Sequence, residues 1–448
     1  MNRLTRPDAP ARGLQVFLGG LLLFLFTTES GVLGHWLAAG TTLLAPLATA
    51  IIIGNACGPR PWLGRLPWRP QPRHATTCML IGLLALGLAM VTAVSNPRPT
   101  NGDQFTTTLC AALDTLHGHD PYRTGEPQCL REAGIGIDVD VTPVRTAPFN
   151  PAVYPTDAQL KAAERTDLAD GTSAGFPRLG YPPLSFIAIL PFAELGFGAV
   201  TGWVLLLVLL TLALVARRDP RHAPWHLASM GLGFAWFIFA FQGDPEILAF
   251  CALILAVAYL DRPILSAILV GLALCDNQLT WFALPAYLLI AARQPGLRPR
   301  LIALGLTLVV VVAGWSLYDP AYIGEQWAFV TLPLYPLGIG LIDLLPAARL
   351  GSGVFDLAFI CTLLAGYTLA WRRPEWSWAV LAVCWVAFWM AWRNITPYYL
   401  PMLWLAPAVA LVQQRLTPVA AGNESRALDE APPNAPATSA TALRRSFR

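Results

Sequence analysis

The stretch FQGDPEILAFCALILAVAYLDRPILSAILVGLALCDNQLTWFALPAYLLIAA, residues 241–292, decides how the chain is read. It opens with a short polar turn carrying Asp244 and Glu246. An apolar run near 246–260 follows, and then a segment, 264–292, that fits no simple crossing. A helix needs ~20 apolar residues to cross a hydrocarbon core, so this segment is long for one span and short for two. ILSAILVGLALC and LTWFALPAYLLIAA flank the polar triplet Asp276-Asn277-Gln278. The pattern predicts two short helices meeting at a polar tip. At membrane depth such a break needs protein or water around it.

Working outward, apolar runs recur near 14–28, 33–53, 77–95, 184–215, 224–241, 301–318, 351–371, 376–392 and 397–413. With the hairpin counted as two, the expectation is an all-α polytopic membrane protein of about twelve transmembrane or re-entrant helices. Composition agrees: 55% of the 448 residues are hydrophobic and only 13% are charged, which excludes an ordinary soluble domain.

Most of the 30 Lys and Arg fall in alternate loops and in the tail after 415. By the positive-inside rule those segments are cytoplasmic, which puts both termini in the cytoplasm and the loop 97–182 outside. The expected location is the cell membrane. The net charge of +3 then follows from topology and is no sign of a nucleic-acid partner. No small-residue cleavage site follows the first span, so that span reads as a signal anchor.

The expected organisation is an N-terminal transmembrane hairpin (1–58), a membrane domain (59–414) with an outer-loop subdomain (97–182), and a disordered cytoplasmic tail (415–448). In the loop, FTTTLCAALDTLHGHDPY predicts an amphipathic helix ending near Gly118. TDAQLKAAERTDLADG predicts a second, with Thr156 or Asp157 at its cap. The segment 319–349 is too broken to span and too apolar for free solvent, so an interfacial position is expected. Of the eight Cys, Cys110 and Cys129 lie in the outer loop, where a disulfide between them is one of two open readings. The other six read as apolar packing residues.

Three positions carry candidate chemistry. Asp103 opens the outer loop, Asp244 and Glu246 share a short turn, and Asp276 sits at the hairpin tip. Acids beside a hydrocarbon core are costly and face a cavity, each other or a ligand. Closely spaced carboxylates suit a hard cation with oxygen ligands or a general base. The bland reading is that they are solvated helix caps, Asp244 before Pro245 above all. Arg393 and Arg178 are candidate phosphate-binding cations, Arg393 against an interfacial reading. Tyr181, before two prolines, either packs or stacks on a sugar.

A family resemblance is carried by NGDQF (101–105), LHGHDPY (116–122), GYPPLSFIAILPF (180–192), the stretch quoted above, LPLYPLGIGLIDLL (332–345) and WRNITPYYLP (392–401). In this order they resemble the GT-C superfamily of polytopic glycosyltransferases, most of all glycosyltransferase family 87, over about residues 75 to 415. The resemblance implies a GT-C-like fold. It also implies transfer of a hexose, with mannose the candidate, from a polyprenyl-phosphate donor to a lipid, glycan or protein acceptor on the outer face. It makes Asp103, Asp244 and Glu246 the catalytic acids and the ligands of a candidate divalent cation, Mg or Mn. Arg393, Arg178, Tyr181, Asp276, Asn277 and Gln278 would then bind substrate. Relatives with a Lys near the hairpin tip differ from this chain, which has Asn277 there. The alternatives are a non-catalytic membrane scaffold and a lipid or solute transporter. Against the transporter, no internal repeat is visible and the acids gather at one face.

Overall fold

In a computed structural model the described residues are 72–95, 103–123, 142–170, 176, 178–220, 222–241, 244–338, 341–345, 350–372, 387–388 and 390–394. The expected hairpin 1–58, the spans 376–392 (for the most part) and 397–413, and the tail lie outside them. The longer helices are α1 (Pro72–Ser95), α2 (Asp103–Leu116), α3 (Asp157–Asp170), α4 (Phe197–Arg218), α5 (Ala223–Phe241) and α6 (Ile247–Ala258). They continue with α7 (Pro263–Asp276), α8 (Leu284–Ala291), α9 (Leu297–Tyr318), α10 (Tyr322–Val330) and α11 (Ser352–Arg372). Among the described residues the one ladder is a two-residue parallel pair, Leu337–Gly338 on Arg393–Asn394. The protein is all-helical in class, and four described helices are long and apolar enough to cross a membrane: Ala75–Ser95, Phe197–Arg218, Leu297–Tyr318 and Ser352–Arg372.

The quoted stretch folds as a broken hairpin. The helix α7 ends at Asp276, a 3-10 turn runs over Gln278–Ala283, and α8 completes the return. The break is built at Asn277. Its extended backbone stops α7, and its side-chain oxygen accepts the Leu279 N–H at 2.8 Å, which starts the next turn. Asp276 is therefore not the cap. It is buried under the hairpin tip, and Asn277 supplies the cap in its place.

The expected single span over 184–215 is also corrected. Short turns at Leu184–Ile187 and Leu190–Ala193 precede α4, which begins at Phe197. Pro191 lacks an N–H for a continuing helix, and Gly196 adopts φ +79°, which L side chains resist. Both predicted loop helices form. Gly118, at φ +75°, closes α2. Thr156 and Gln159 cap α3 reciprocally: Thr156 N–H donates to Gln159 Oε1 at 2.9 Å, and Gln159 N–H to Thr156 Oγ1 at 3.4 Å. The described residues of the segment after α9 make α10, an extended piece in which Leu334 bridges Val144, and a short turn of helix at Leu341–Leu344.

Small residues set how closely helices approach. A Cβ on Gly82 of α1 would stand 2.5 Å from the Ala228 carbonyl oxygen of α5, and one on Gly231 would stand 2.8 Å from Gly82 backbone. Where lipid is as apolar as the helix surface, such contact and the dispersion it gains hold helices together. Gly271 of α7 meets Thr307 of α9 in the same way, with its added Cβ 2.7 Å from Thr307 Cγ2. The core gathers α4, α6 and α7 around Ile254, Val270 and Leu274.

Cations and the C-terminal end of α6 meet at the end away from the hairpin tip. Buried Arg300 donates to the Leu260 carbonyl and, at 3.4 Å, to the Tyr287 hydroxyl. Arg218 pairs with Asp261 and lies over the Tyr259 ring. Carbonyls left over at a helix C-terminus favour such cations.

Candidate functional site

The sequence has four Asp-Pro steps, and at three of them, Asp120-Pro121, Asp244-Pro245 and Asp319-Pro320, the aspartate folds its own turn. Asp120 Oδ1 accepts the Tyr122 N–H, Asp244 Oδ1 the Glu246 N–H and Asp319 Oδ1 the Ala321 N–H, all at 2.9 Å. The side chain mimics a backbone carbonyl, and proline fixes the residue between. For Asp244 this bond closes a turn ahead of α6, whose N-cap is Glu246 with no side-chain cap bond, so Asp244 is not the helix cap itself. Nor are the two acids solvated: Asp244 is 1% exposed and Glu246 3%.

The turn delivers three acids to one place. Glu246 stands within electrostatic reach of both Asp244 and Asp276, and the side chains of Gln104 and Asn277 approach its carboxyl. Gln104 lies in the first turn of α2 directly after Asp103, so the start of that helix stands beside Glu246. The Asp103 side chain is outside the described set. The backbone N–H of Ala249, in the first turn of α6, bonds the Asp276 carboxyl. Helix N-termini present unsatisfied N–H groups and a partial positive charge, which offsets part of the cost of gathering acids here. Glu246 Oε1 and Asp276 Oδ2 are nevertheless buried with no hydrogen-bond partner among the described residues. A buried carboxylate oxygen without a donor costs several kcal/mol in general, roughly 1–3 and more when charged, so these atoms are poised to take a proton or a ligand donor.

The hairpin tip is bound to the loop that carries Tyr181. The Gln278 side-chain amide donates to the Gly180 carbonyl. The Tyr181 carbonyl accepts from Tyr122 Oη at 2.7 Å and from Gln326 Nε2 at 3.1 Å. The Tyr181 ring packs against the core, half-buried. Gln278 and Tyr181 are therefore joined in one framework with Asn277, and Asn277 reaches Glu246.

Of the two candidate cations, Arg178 is already engaged, 3.4 Å from Glu325 Oε1 on α10. Arg393 lies on the short ladder; its Nη2 donates to Thr142 Oγ1 at 3.4 Å, while Nη1 is buried without a partner among the described residues. Its neighbour Trp392 is fixed by a 3.0 Å bond to the Leu334 carbonyl and lies under Arg145.

Among the described residues, no three His, Cys, Asp or Glu side chains are arranged to hold a metal ion. The expected ligand set included Asp103, and the side chains described do not make a metal site without it. Cys110 is disulfide-bonded, and its partner lies outside the described residues, as does Cys129. Sequence reading missed Gln104 beside Glu246 and a facing pair, Asp120 and Asp319. The recurring Asp-Pro step was the signal available for the second.

A buried acid cluster at the tip of a broken hairpin, in a bundle with helices long enough to cross a bilayer, defines a helical membrane protein with a polar site at one end. No protein-family model matches the sequence, and no curated protein or solved structure matches it.

Proposed function

We propose that the chain is a membrane glycosyltransferase that moves a hexose from a polyprenyl-phosphate donor to an acceptor hydroxyl at the outer face. The observation that carries this reading is the convergence of Asp244, Glu246 and Asp276 with Gln104, the residue after Asp103. The resemblance of the motif order to the GT-C superfamily supports it further.

In this reading Asp103 is the general base and Glu246 holds the acceptor hydroxyl. Asp244 keeps Glu246 in place through its turn. The acceptor oxygen attacks the anomeric carbon and its proton passes to the carboxylate. The bond from that carbon to the phosphate oxygen breaks, with the electron pair leaving on the phosphate. A phosphate leaving group needs a cation or N–H donors where charge develops. Among the described residues, Arg393 Nη1, buried without a partner, is the candidate for that group.

One observation favours the non-catalytic alternative. The Asn277 side chain, where relatives with a hairpin-tip Lys carry a cation, is committed to capping the 3-10 turn. The test is direct. Purified protein in nanodiscs is given a polyprenyl-phosphate hexose bearing a labelled sugar, with a membrane extract as acceptor. Label transfer that Asp103→Asn abolishes is the expected result. A folded protein that transfers nothing from mannosyl or glucosyl donors would leave the scaffold reading standing.

A further inference from the structure

The mechanism above makes no use of Asp120 and Asp319. Asp120 lies in the turn after α2, and Asp319 follows the last residue of α9. Their carboxyls stand within hydrogen-bonding reach of each other, although neither anion has a hydrogen to give. Asp319 is 3% exposed, and its Oδ2 has no donor among the described residues. Its Oδ1 is already taken by the Ala321 N–H. Asp120 is itself anchored, with Oδ1 accepting the Tyr122 N–H and Oδ2 3.0 Å from Arg123 Nε. Tyr122, which both carboxyls influence, packs against Tyr322 with the rings tilted at 54° and their centroids 5.1 Å apart, and Trp315 stands 6.4 Å from Tyr122.

Two anions this close repel each other. One shared proton turns the repulsion into a short charge-assisted hydrogen bond. We infer that Asp120 and Asp319 share one proton and form an acid-dependent latch holding the 103–123 segment against the corner between α9 and α10. The latch is independent of the proposed transfer reaction.

The other groups facing the pair do not replace the proton. Arg123 is the nearby cation, and it approaches Asp120 rather than Asp319. Burial and the surrounding acids hold the Tyr122 hydroxyl well above its ordinary range, and burial raises Tyr322 too, so both stay neutral. Cys275 of α7 faces Tyr322. His119 precedes Asp120 but leans to Asp114, at 3.9 Å. Glu325 on α10 is paired with Arg178.

Burial first, then the Asp120 carboxyl, raise Asp319 above the ordinary carboxyl value, against the Ala321 N–H and Arg123. A raised folded-state value gives stability that is full at low pH and is lost as pH rises through that value.

Hydrogen exchange of the full chain in nanodiscs tests this, read by mass spectrometry from about pH 4, the ordinary carboxyl value, to about pH 8 and corrected for intrinsic exchange. Peptides over 116–123 and 319–330 in the wild type should lose protection as pH rises, by several-fold or more, while a peptide within α4 stays constant. Asp319→Asn supplies a permanent N–H donor, so protection should become flat with pH. Asp120→Asn should do the same, and it serves if the first variant folds poorly. His119→Gln should leave the pH response in place. Flat protection in the wild type overturns the latch, as does a response that persists in both Asn variants or vanishes with His119→Gln. Protection restored at pH 8 by added calcium and removed by chelator would assign the site to a cation and overturn the shared proton.

Discussion

The Tyr122 hydroxyl donates to the carbonyl oxygen of Tyr181 at 2.7 Å, joining the end of the α2 segment to the loop that also holds the hairpin tip. Gln326 shares the same carbonyl at 3.1 Å, so removing one donor leaves the acceptor satisfied. Tyr122→Phe should then cost only the net worth of one hydrogen bond, ~1 kcal/mol. Tyr122→Ala should cost ~3–5 kcal/mol, because the ring is fully buried against Phe186, Trp315 and Tyr322. Thermal unfolding of the two variants in detergent checks the ordering. A Phe variant as damaged as the Ala variant would mean the hydroxyl, not the ring, holds this junction.

The contact between α1 and α5 gives a second expectation. Gly82→Ala places a methyl 2.5 Å from a backbone oxygen that has no side chain to move aside, so the helices must separate. Overpacking of this kind costs ~1–3 kcal/mol. Gly87→Ala, on the same helix with nothing within 4 Å of the new methyl, should be neutral or slightly stabilising. Equal unfolding midpoints for the two would show that the helices do not touch at Gly82.

A third expectation concerns the opposite end, where Asp219 holds two histidines. Its Oδ2 lies 2.9 Å from His222 Nδ1 and 3.2 Å from His226 Nε2. Burial pushes the Asp219 carboxyl up, but the hydrogen bonds and charges of the histidines outweigh it and hold it below the ordinary range. A depressed value means stability that is full above the ordinary carboxyl value of about 4 and is lost as pH falls through the lower folded value. Asp219→Asn should therefore be less stable than wild type at pH 5, and the gap should narrow steadily below pH 4. Melting curves across that range test it; a gap that widens in acid would reverse the assignment.

The hairpin 264–292 was legible because its length fitted neither one crossing nor two, and its polar triplet marked the break. The loop helices were legible for the same reason: Thr156 with Gln159, and Gly118, are local signals that act within a few residues. The broken approach to α4 was hidden because Pro191 and Gly196 sit in a run apolar enough to pass for a span. The burial of Asp276 was not legible either. A polar residue at a turn reads as solvated unless one knows that α6 begins against it. The pairing of Asp120 with Asp319 depends on contact across nearly two hundred residues, which no local pattern reports. Repetition of the Asp-Pro step marks candidate turns in the sequence, but it does not separate Asp219, which holds histidines, from the three that fold their own turns, nor show that two of those turns meet.

The last expectation bears on the acids themselves. Glu246→Gln keeps the size and the hydrogen-bonding shape of the side chain and removes its charge from beside Asp244 and Asp276. Relief of repulsion should leave the fold as stable or make it more so, which separates a catalytic loss from a structural one. If the acids act on one reacting centre, transfer should fall ~10²–10⁴-fold, the usual worth of a general base. Asp103→Asn should fall by as much, and the double variant no further than the worse single, because groups that act as a unit do not lose activity additively. Asp244→Asn differs in kind. Its amide oxygen still accepts the Glu246 N–H, so the turn survives, and any loss reports charge alone. Initial rates with a polyprenyl-phosphate hexose, measured beside the unfolding midpoint for each variant, distinguish these cases. Losses that track stability across the set would reduce the cluster to a structural one. Losses with unchanged or raised midpoints would place Asp103 and Glu246 at the reacting atoms.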